Sequence, residues 1–165
     1  MEFIEQIQKQ FGKLKPLTLN EISETLEQVS LIPQHLIEPY ITDPDQFAYG
    51  RNILYRNDNI EVILINIPPN KETAIHDHGN SIGCAMVLEG EMVNSIYRAT
   101  ENYAEKTSSY TVGKRDCIYS TAGLIHKMSN SHNERMVSIH VYSPPLQGMT
   151  SFNEREERVI SLDSP

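Results

Sequence analysis

The stretch "HDHGNSIGCAMVLEG", residues 76–90, places two histidines ahead of turn-forming residues and an apolar run. Residues two apart on a β-strand share a face, so His76 and His78 project together while Asp77 turns away. Two imidazoles on one face form a two-point chelate for Zn, Fe, Cu or Ni. One HxH pair is a weak signal, so further ligands must come from elsewhere in the chain.

Short apolar runs bounded by turn residues continue on both sides of this stretch. Upstream, "NILYR" (52–56) and "EVILINI" (61–67) predict a hairpin. Many short strands without intervening helices predict a mainly β fold, an antiparallel barrel or sandwich. The other strand candidates are "ETAIHDH" (72–78), "CAMVLEG" (84–90), "EMVNSIYR" (91–98), "SSYTV" (108–112), "DCIYS" (116–120), "LIHKMS" (124–129) and "RMVSIHVYS" (135–143).

The beginning of the chain has helical character instead. "FIEQIQKQF" is amphipathic, and "TLNEISETLEQVSL" starts with a Thr18-x-x-Glu21 capping box. We therefore expect a single domain over residues 1–165. It would comprise an N-terminal helical segment (1–47), a β-barrel (48–150) and a solvated C-terminal tail (151–165).

Composition excludes several classes of function. The net charge of −8 opposes binding to nucleic acid, which needs a concentrated Lys/Arg surface. No apolar run approaches the roughly 20 residues that cross a bilayer, and the first residues lack a signal-peptide pattern. We expect a cytoplasmic protein with neither nucleic-acid nor membrane partners, in which Cys84 and Cys117 are buried free thiols. The sequence leaves the oligomeric state open, and a monomer is compatible with it.

Four other histidines are candidates for the third ligand. His35 lies in a proline-punctuated segment and His132 in a polar turn, so we expect both to face solvent. His126 lies in an apolar strand, where an unpaired imidazole is costly to bury. His140 lies in an equally apolar strand, so from the residues alone either of these two could complete the site.

The segment "MVSIHVYS" (136–143) alternates aliphatic with polar residues. If the aliphatic residues face a core between layers, the polar row faces a lumen or cleft, where a metal site fits. A hydrogen-bonded row on a solvent face is the alternative. The aliphatic residues are Val137, Ile139 and Val141, and the polar row is Ser138, His140 and Tyr142.

These residues resemble two motifs of the cupin superfamily, whose fold is an antiparallel β-barrel of the double-stranded β-helix or jelly-roll type. The opening stretch resembles the first motif, and "GLIHKMSN" (123–130) resembles the second through Gly123, His126 and Asn130. The resemblance favours His126 as the third ligand. Gly83 stands where most cupins have a ligand glutamate.

Loss of that glutamate, with "YGRN" (49–52) and "SIHVYSPPL" (138–146), makes the chain similar to cysteine dioxygenases, particularly their bacterial members. The resemblance implies oxidation of L-cysteine with O2 to 3-sulfinoalanine, with one Fe(II) per chain. The implied small-molecule partners are L-cysteine and O2. The implied iron ligands are His76, His78 and His126.

The same resemblance assigns roles around the iron. Arg51 falls at the position of the arginine that binds the substrate carboxylate, with Tyr49 beside it. The catalytic outer row falls on Ser138, His140 and Tyr142. Animal members bond a cysteine to this tyrosine, but here Gly83 occupies that position and Cys84 should point to the other face. We therefore expect an unmodified Tyr142.

Other functions remain open at this point. A dioxygenase of 3-mercaptopropionate is the nearest alternative, although Arg51 favours cysteine because the related group typically has glutamine there. A metal-binding cupin without oxygenase activity, such as a small-molecule sensor, would need neither Arg51 nor Tyr142. A zinc hydrolase would also use three histidines with open coordination positions.

Overall fold

The computed structural model describes residues 2–12 and 15–155. Within them the helices are α1 (Phe3–Phe11), α2 (Leu19–Val29) and α3 (Gln34–Ile37), followed by a 3-10 turn (Glu38–Tyr40). The strands are β1 (Gly50–Arg56), β2 (Glu61–Ile67), β3 (Lys71–Glu72), β4 (Ile75–His76), β5 (Ile82–Glu89), β6 (Met92–Ala99), β7 (Ala104–Val112), β8 (Cys117–Ser120), β9 (Ile125–Asn130), β10 (Met136–Ser143) and β11 (Ser151–Phe152).

These strands form two antiparallel sheets. The first sheet has the order β1-β2-β10-β5-β8. The second has the order β11-β4-β9-β6-β7, and β3 pairs with β9. Strands distant in sequence are neighbours in both sheets, as in a jelly roll. The predicted mainly β fold with N-terminal helices is confirmed.

The N-terminal helices cover the outer face of the first sheet. The capping box predicted at the start of α2 is confirmed, because Glu21 N–H donates to Thr18 Oγ1 (3.3 Å) and Thr18 N–H donates to a Glu21 carboxylate oxygen (2.9 Å). Helix α1 buries Phe3, Ile7 and Phe11, which lie on one face at helical spacing. These side chains form one apolar core with the outward-facing residues of the sheet.

Strand β2 is buried on both of its faces. Val62 and Leu64 belong to the outer core beneath the helices. Ile63 and Ile65 belong to the inner core, to which both sheets contribute. Double burial explains why "EVILINI" is a nearly continuous apolar run rather than an alternating one. No helix among residues 2–12 and 15–155 has the length and hydropathy needed to span a membrane.

The helical segment is shorter than predicted. Helical structure ends at Tyr40 rather than at residue 47. Pro44 lacks a backbone N–H and disfavours a helical conformation in the residue before it, so the chain beyond residue 40 does not resume a helix. Instead the carbonyl of Thr42 accepts a hydrogen bond from the side chain of Asn66 (3.0 Å), which ties this segment to β2.

Residues 151–155 of the predicted C-terminal tail are largely exposed, but they pair with the second sheet. Strand β11 pairs with β4, with Ser151 opposite His76. The carbonyl of Asn153 then accepts the N–H of Ala104 (2.8 Å), so the chain continues along the second sheet. The remainder of the predicted tail, residues 156–165, lies outside the described residues.

Candidate metal centre

Three histidines converge in the interior between the two sheets. His76 is the last residue of β4 and lies opposite His126 on β9. His78 follows in the loop, so the predicted strand "ETAIHDH" is interrupted and ends before its second histidine. The cause is an Asx turn, in which the Asp77 carboxylate accepts the N–H of Gly79 (3.1 Å). The two imidazoles nevertheless join one cluster.

The ring nitrogens of this cluster have the spacing of a metal site. One nitrogen from each of His76, His78 and His126 lies within 4.8 Å of the other two. The Nε2 atoms of His78 and His126 are 3.3 Å apart. Two nitrogens that each bind one ion at about 2.1 Å, roughly at right angles, would be about 3 Å apart. Across the part of the chain that the structure describes, no carboxylate joins this group.

The hydrogen bonds of the cluster favour a cation between the rings. His76 Nδ1 lies 2.8 Å from the carbonyl of Ala74, which can only accept, so this Nδ1 carries the proton and Nε2 presents a lone pair. His126 Nδ1 lies 2.8 Å from the Asn94 side-chain oxygen, which likewise leaves Nε2 unprotonated. Both rings therefore offer an unprotonated Nε2, the form of the nitrogen that binds a metal ion. The donor set therefore fits a bound metal ion.

Burial keeps these imidazoles neutral. Desolvation, with a smaller contribution from His76, lowers the pKa of His78 to about 3. Desolvation also lowers the pKa of His76, and it holds the pKa of His126 well below its ordinary value. A neutral imidazole is the form that binds metal. The ligand atoms are thus available at neutral pH without loss of a proton.

The polar row of β10 forms a continuous hydrogen-bonded chain. The Ser138 hydroxyl lies 2.8 Å from His140 Nε2, and His140 Nδ1 lies 3.0 Å from the Tyr142 hydroxyl. The Tyr142 hydroxyl lies 3.3 Å from Nε2 of His78. Because both nitrogens of His140 are engaged within the row, His140 stands behind the cluster. The sequence alternative of a polar row on a solvent face is wrong, since all three side chains are buried.

Two other predicted site residues, Arg51 and Tyr49, line a cavity beside the histidine cluster. Arg51 and Tyr49 border it together with His76, His78, His140 and Tyr142. The cavity has a volume of about 30 Å³, which is room for an ion and one or two water-sized groups. Tyr49, which lines the cavity, stacks on Phe47 with ring centroids 5.2 Å apart. The residues predicted from distant parts of the sequence are therefore brought together.

The two histidines expected to face solvent do so. His35 is exposed, and His132 lies on the surface with Nε2 3.1 Å from the Glu91 carboxylate. A larger groove of about 430 Å³ lies between the β1–β2 turn and residues 144–147. None of the three clustered histidines borders this groove. The candidate site is identified by its converging donors and not by its volume.

Gly83 and Cys84 occupy opposite faces of β5. A Cβ built on Gly83 would lie 2.5 Å from Cδ1 of Tyr142 and 2.9 Å from the carbonyl oxygen of Val141. Glycine therefore gives the phenol ring its space. Cys84 packs in the outer core beneath the helices, and both Cys84 and Cys117 are free thiols. Cys84 is buried as predicted, whereas Cys117 is partly exposed.

Sequence reasoning missed two residues that contact the site. Asn94 on β6 holds the ring of His126, and its amide group donates to the Tyr110 hydroxyl (2.9 Å). Glu61 begins β2 and lies 3.4 Å from Arg51 Nη2. The available signal for both Asn94 and Glu61 was a polar residue in an otherwise apolar strand. The residue that each one contacts could not be identified without the strand register.

Comparison with known proteins agrees with this geometry. A family model described as "Cysteine dioxygenase type I" matches residues 16–155. The cysteine dioxygenase type 1 of Danio rerio is 27% identical to this chain over an alignment 165 positions long, which covers 86% of this chain and 82% of the relative. The human cysteine dioxygenase type 1 is 27% identical over 164 residues, with the same coverage.

A solved structure shows the same fold. The chain resembles a conserved protein with a double-stranded β-helix domain from Klebsiella pneumoniae, with a TM-score of 0.57 and 19% sequence identity. The match covers 72% of this chain and 95% of that chain. At this identity the similarity supports the jelly-roll fold alone.

Proposed function

The chain belongs to the cysteine dioxygenase type I family, and from that premise we propose that it is an iron-dependent dioxygenase that oxidises L-cysteine with O2 to 3-sulfinoalanine. The observation that carries this proposal is the convergence of three neutral imidazoles beside a cavity that an arginine and a buried phenol line. Both oxygen atoms of O2 are added to the sulfur. The sulfur loses four electrons and O2 gains four, so no external reductant is consumed.

The metal ligands proposed are His76, His78 and His126, with one ion per chain. A ferrous ion held by these three neutral nitrogens would supply the centre at which an anionic thiolate and O2 react. The ring of His126 is held by Asn94, and that of His76 by the backbone of Ala74. These hydrogen bonds orient the ligands before any metal binds.

Arg51 is proposed to bind the carboxylate of the substrate. Its guanidinium borders the cavity beside Tyr49, and its side chain is 28% exposed. A planar guanidinium can make two charge-assisted hydrogen bonds to a carboxylate. The cavity itself is smaller than a cysteine molecule, so the carboxylate end of the substrate would extend toward Arg51 and the partly exposed Met149.

Tyr142 is proposed to be the catalytic proton donor. Burial raises the pKa of Tyr142 above its ordinary value, so the phenol keeps its proton at neutral pH. If Ser138 donates to His140 Nε2 and His140 Nδ1–H donates to the Tyr142 oxygen, the phenolic proton is free to point into the cavity. The proposed roles of Ser138 and His140 are therefore to orient Tyr142.

The choice of cysteine over 3-mercaptopropionate depends on Arg51. Substitution of Arg51 by Gln should depress oxidation of cysteine far more than oxidation of 3-mercaptopropionate, which has the same carbon chain but lacks the amine. Equal losses for both thiols would remove the reason for choosing cysteine.

We also propose a cytoplasmic location, which two free thiols support.

One assay separates this function from a metal-binding sensor and from a zinc hydrolase. Purified protein loaded with iron should consume O2 only when cysteine is added, with one 3-sulfinoalanine formed per O2. Zinc-loaded protein is the matched control and should consume none. Iron-loaded protein that binds cysteine without consuming O2 would favour the sensor.

A further inference from the structure

Glu61 is a carboxylate at the start of β2, on the inner face of the first sheet, and it is only 1% exposed. It begins the row of β2 side chains that continues with Ile63 and Ile65, two residues that line the cavity. An unpaired carboxylate in such a position is strongly unfavourable, and a buried charge is retained only when charged or hydrogen-bonding partners surround it. The partners of Glu61 therefore indicate what the charge is for.

Two of those partners, Arg51 and Leu146, line the cavity of the site. Glu61 Oε1 lies 3.4 Å from Arg51 Nη2 and 3.8 Å from Arg56 Nη1. Glu61 Oε2 accepts the backbone N–H of Leu146 (3.0 Å), and Leu146 also lines the cavity. In the strand register Glu61 stands opposite Tyr142. One carboxylate thus connects the arginine of β1 to the segment that follows β10.

We propose that Glu61 is a positioning residue that holds the guanidinium of Arg51 in place for the carboxylate of the thiol substrate. This inference rests on the proposed function. Glu61 thereby determines which thiols the site selects, since only a substrate with a carboxylate binds the oriented guanidinium group of Arg51.

A carboxylate beside Arg51 could instead compete with the substrate for that arginine. Two features favour positioning over competition. The contact is long and involves one of the five N–H donors of the guanidinium, so most of the fork stays free for a second carboxylate. Arg51 is also partly exposed, and without Glu61 its long side chain would regain rotamers that substrate binding must remove.

The test measures thiol binding, under anaerobic conditions, by isothermal titration of the iron-loaded protein. The probes are L-cysteine and cysteamine, a thiol amine without a carboxylate. Glu61→Gln should weaken cysteine binding roughly tenfold and leave cysteamine binding unchanged. Arg51→Gln should do the same more strongly, and the double variant should bind cysteine no more weakly than Arg51→Gln alone.

Glu89→Gln is the matched control. Glu89 lies on β5 of the same sheet and pairs with Arg135 (3.0 Å), and its substitution should leave both affinities unchanged. If Glu61→Gln does not fold, Glu61→Asp keeps the buried charge but withdraws it from Arg51, and a smaller loss specific to cysteine is expected. Equal losses for both thiols, tighter cysteine binding, or additive losses in the double variant would overturn the inference. O2 uptake in air is a separate readout, since wild-type protein that binds cysteine selectively but consumes no O2 overturns the proposed function and not the role of Glu61.

Discussion

The two faces of β10, a central strand of the first sheet, bury different kinds of side chain. The outer face, beneath the helices, carries aliphatic residues such as Val137, Ile139 and Val141 of β10. The inner face of the same strand carries Ser138, His140 and Tyr142, each in a hydrogen bond with its neighbour. Alternation along one strand thus separates the packing that stabilises the fold from the polar groups of the site. Substitutions on the two faces should have separable effects.

The largest effect is expected within the histidine cluster. His126→Ala should abolish iron retention and O2 uptake, because one of three metal ligands is lost. His140→Ala is the matched control on the same inner face, and it should retain iron while turnover falls roughly 10- to 100-fold. Iron content by elemental analysis and O2 uptake measure the two. Equal iron loss in the His140 variant would indicate that His140 is itself a ligand. The histidine cluster and the polar row of β10 would then not have separate roles.

Truncation of the outer face should affect stability alone. Ile139 is fully buried, so Ile139→Ala should lower the free energy of unfolding by about 2–5 kcal/mol. Iron content at low temperature should not change. Leu31→Ala is the control, since Leu31 is 63% exposed and its truncation should cost less than about 0.5 kcal/mol. Urea unfolding measures both, and iron loss from folded Ile139→Ala protein would show that the faces are coupled.

Gly83→Ala should affect the inner face in both respects. The added methyl group would lie 2.5 Å from the ring of Tyr142, which must move. We expect a stability loss of about 1–3 kcal/mol and a lower turnover number with iron content unchanged. Gly113→Ala is the control, because its methyl group would meet only the Asp116 carboxylate, at 3.4 Å. Unchanged turnover in Gly83→Ala would argue against a role for the position of the phenol.

The smallest effect is a pH dependence that only the inner face should produce. Burial lowers the pKa of His140, like that of His78, from 6.5 to about 3 in the folded, metal-free protein. Between these values the unfolded state binds the proton and the folded state does not, so stability falls as pH falls below about 6.5. Each such group should lower the free energy of unfolding by up to about 1.4 kcal/mol per pH unit.

Urea unfolding of metal-free protein at pH 6.5 and 5.5 measures this slope. His140→Gln should make the slope shallower, because one buried imidazole is removed. Ile139→Ala should shift the whole curve without changing its slope. A slope that does not respond to His140→Gln would contradict the assignment of the pH dependence to the inner face.

The sequence predicted most of the fold through local patterns. The period-2 alternation around His140 identified a strand with two different faces, and the capping box at Thr18 identified the start of α2. The predicted start and end points of several elements were wrong. The run "ETAIHDH" contains the Asx turn of Asp77, and β11 forms only because β4 lies beside it. Pairing between strands distant in sequence is not encoded in either segment alone.

The roles of the site residues remain predictions, but the structure shows which of these residues come together. The three histidines, Arg51 and the row of β10 came from residue spacing and from family resemblance, and the structure brings them together between the two sheets. Glu61 and Asn94 were missed because each acts through a partner on another strand. A buried polar residue can be suspected from sequence, but its role depends on a contact that only the three-dimensional structure provides.

The central claim is that three imidazole nitrogens, with no carboxylate, hold the metal ion, and a crystal structure of the iron-loaded protein with anomalous data tests it most directly. The account predicts one iron peak at about 2.1 Å from Nε2 of His76, His78 and His126, with His140 still bonded to Ser138 and Tyr142. An iron peak ligated by His140 or by an acidic side chain, or the absence of a peak at these three rings, would contradict it.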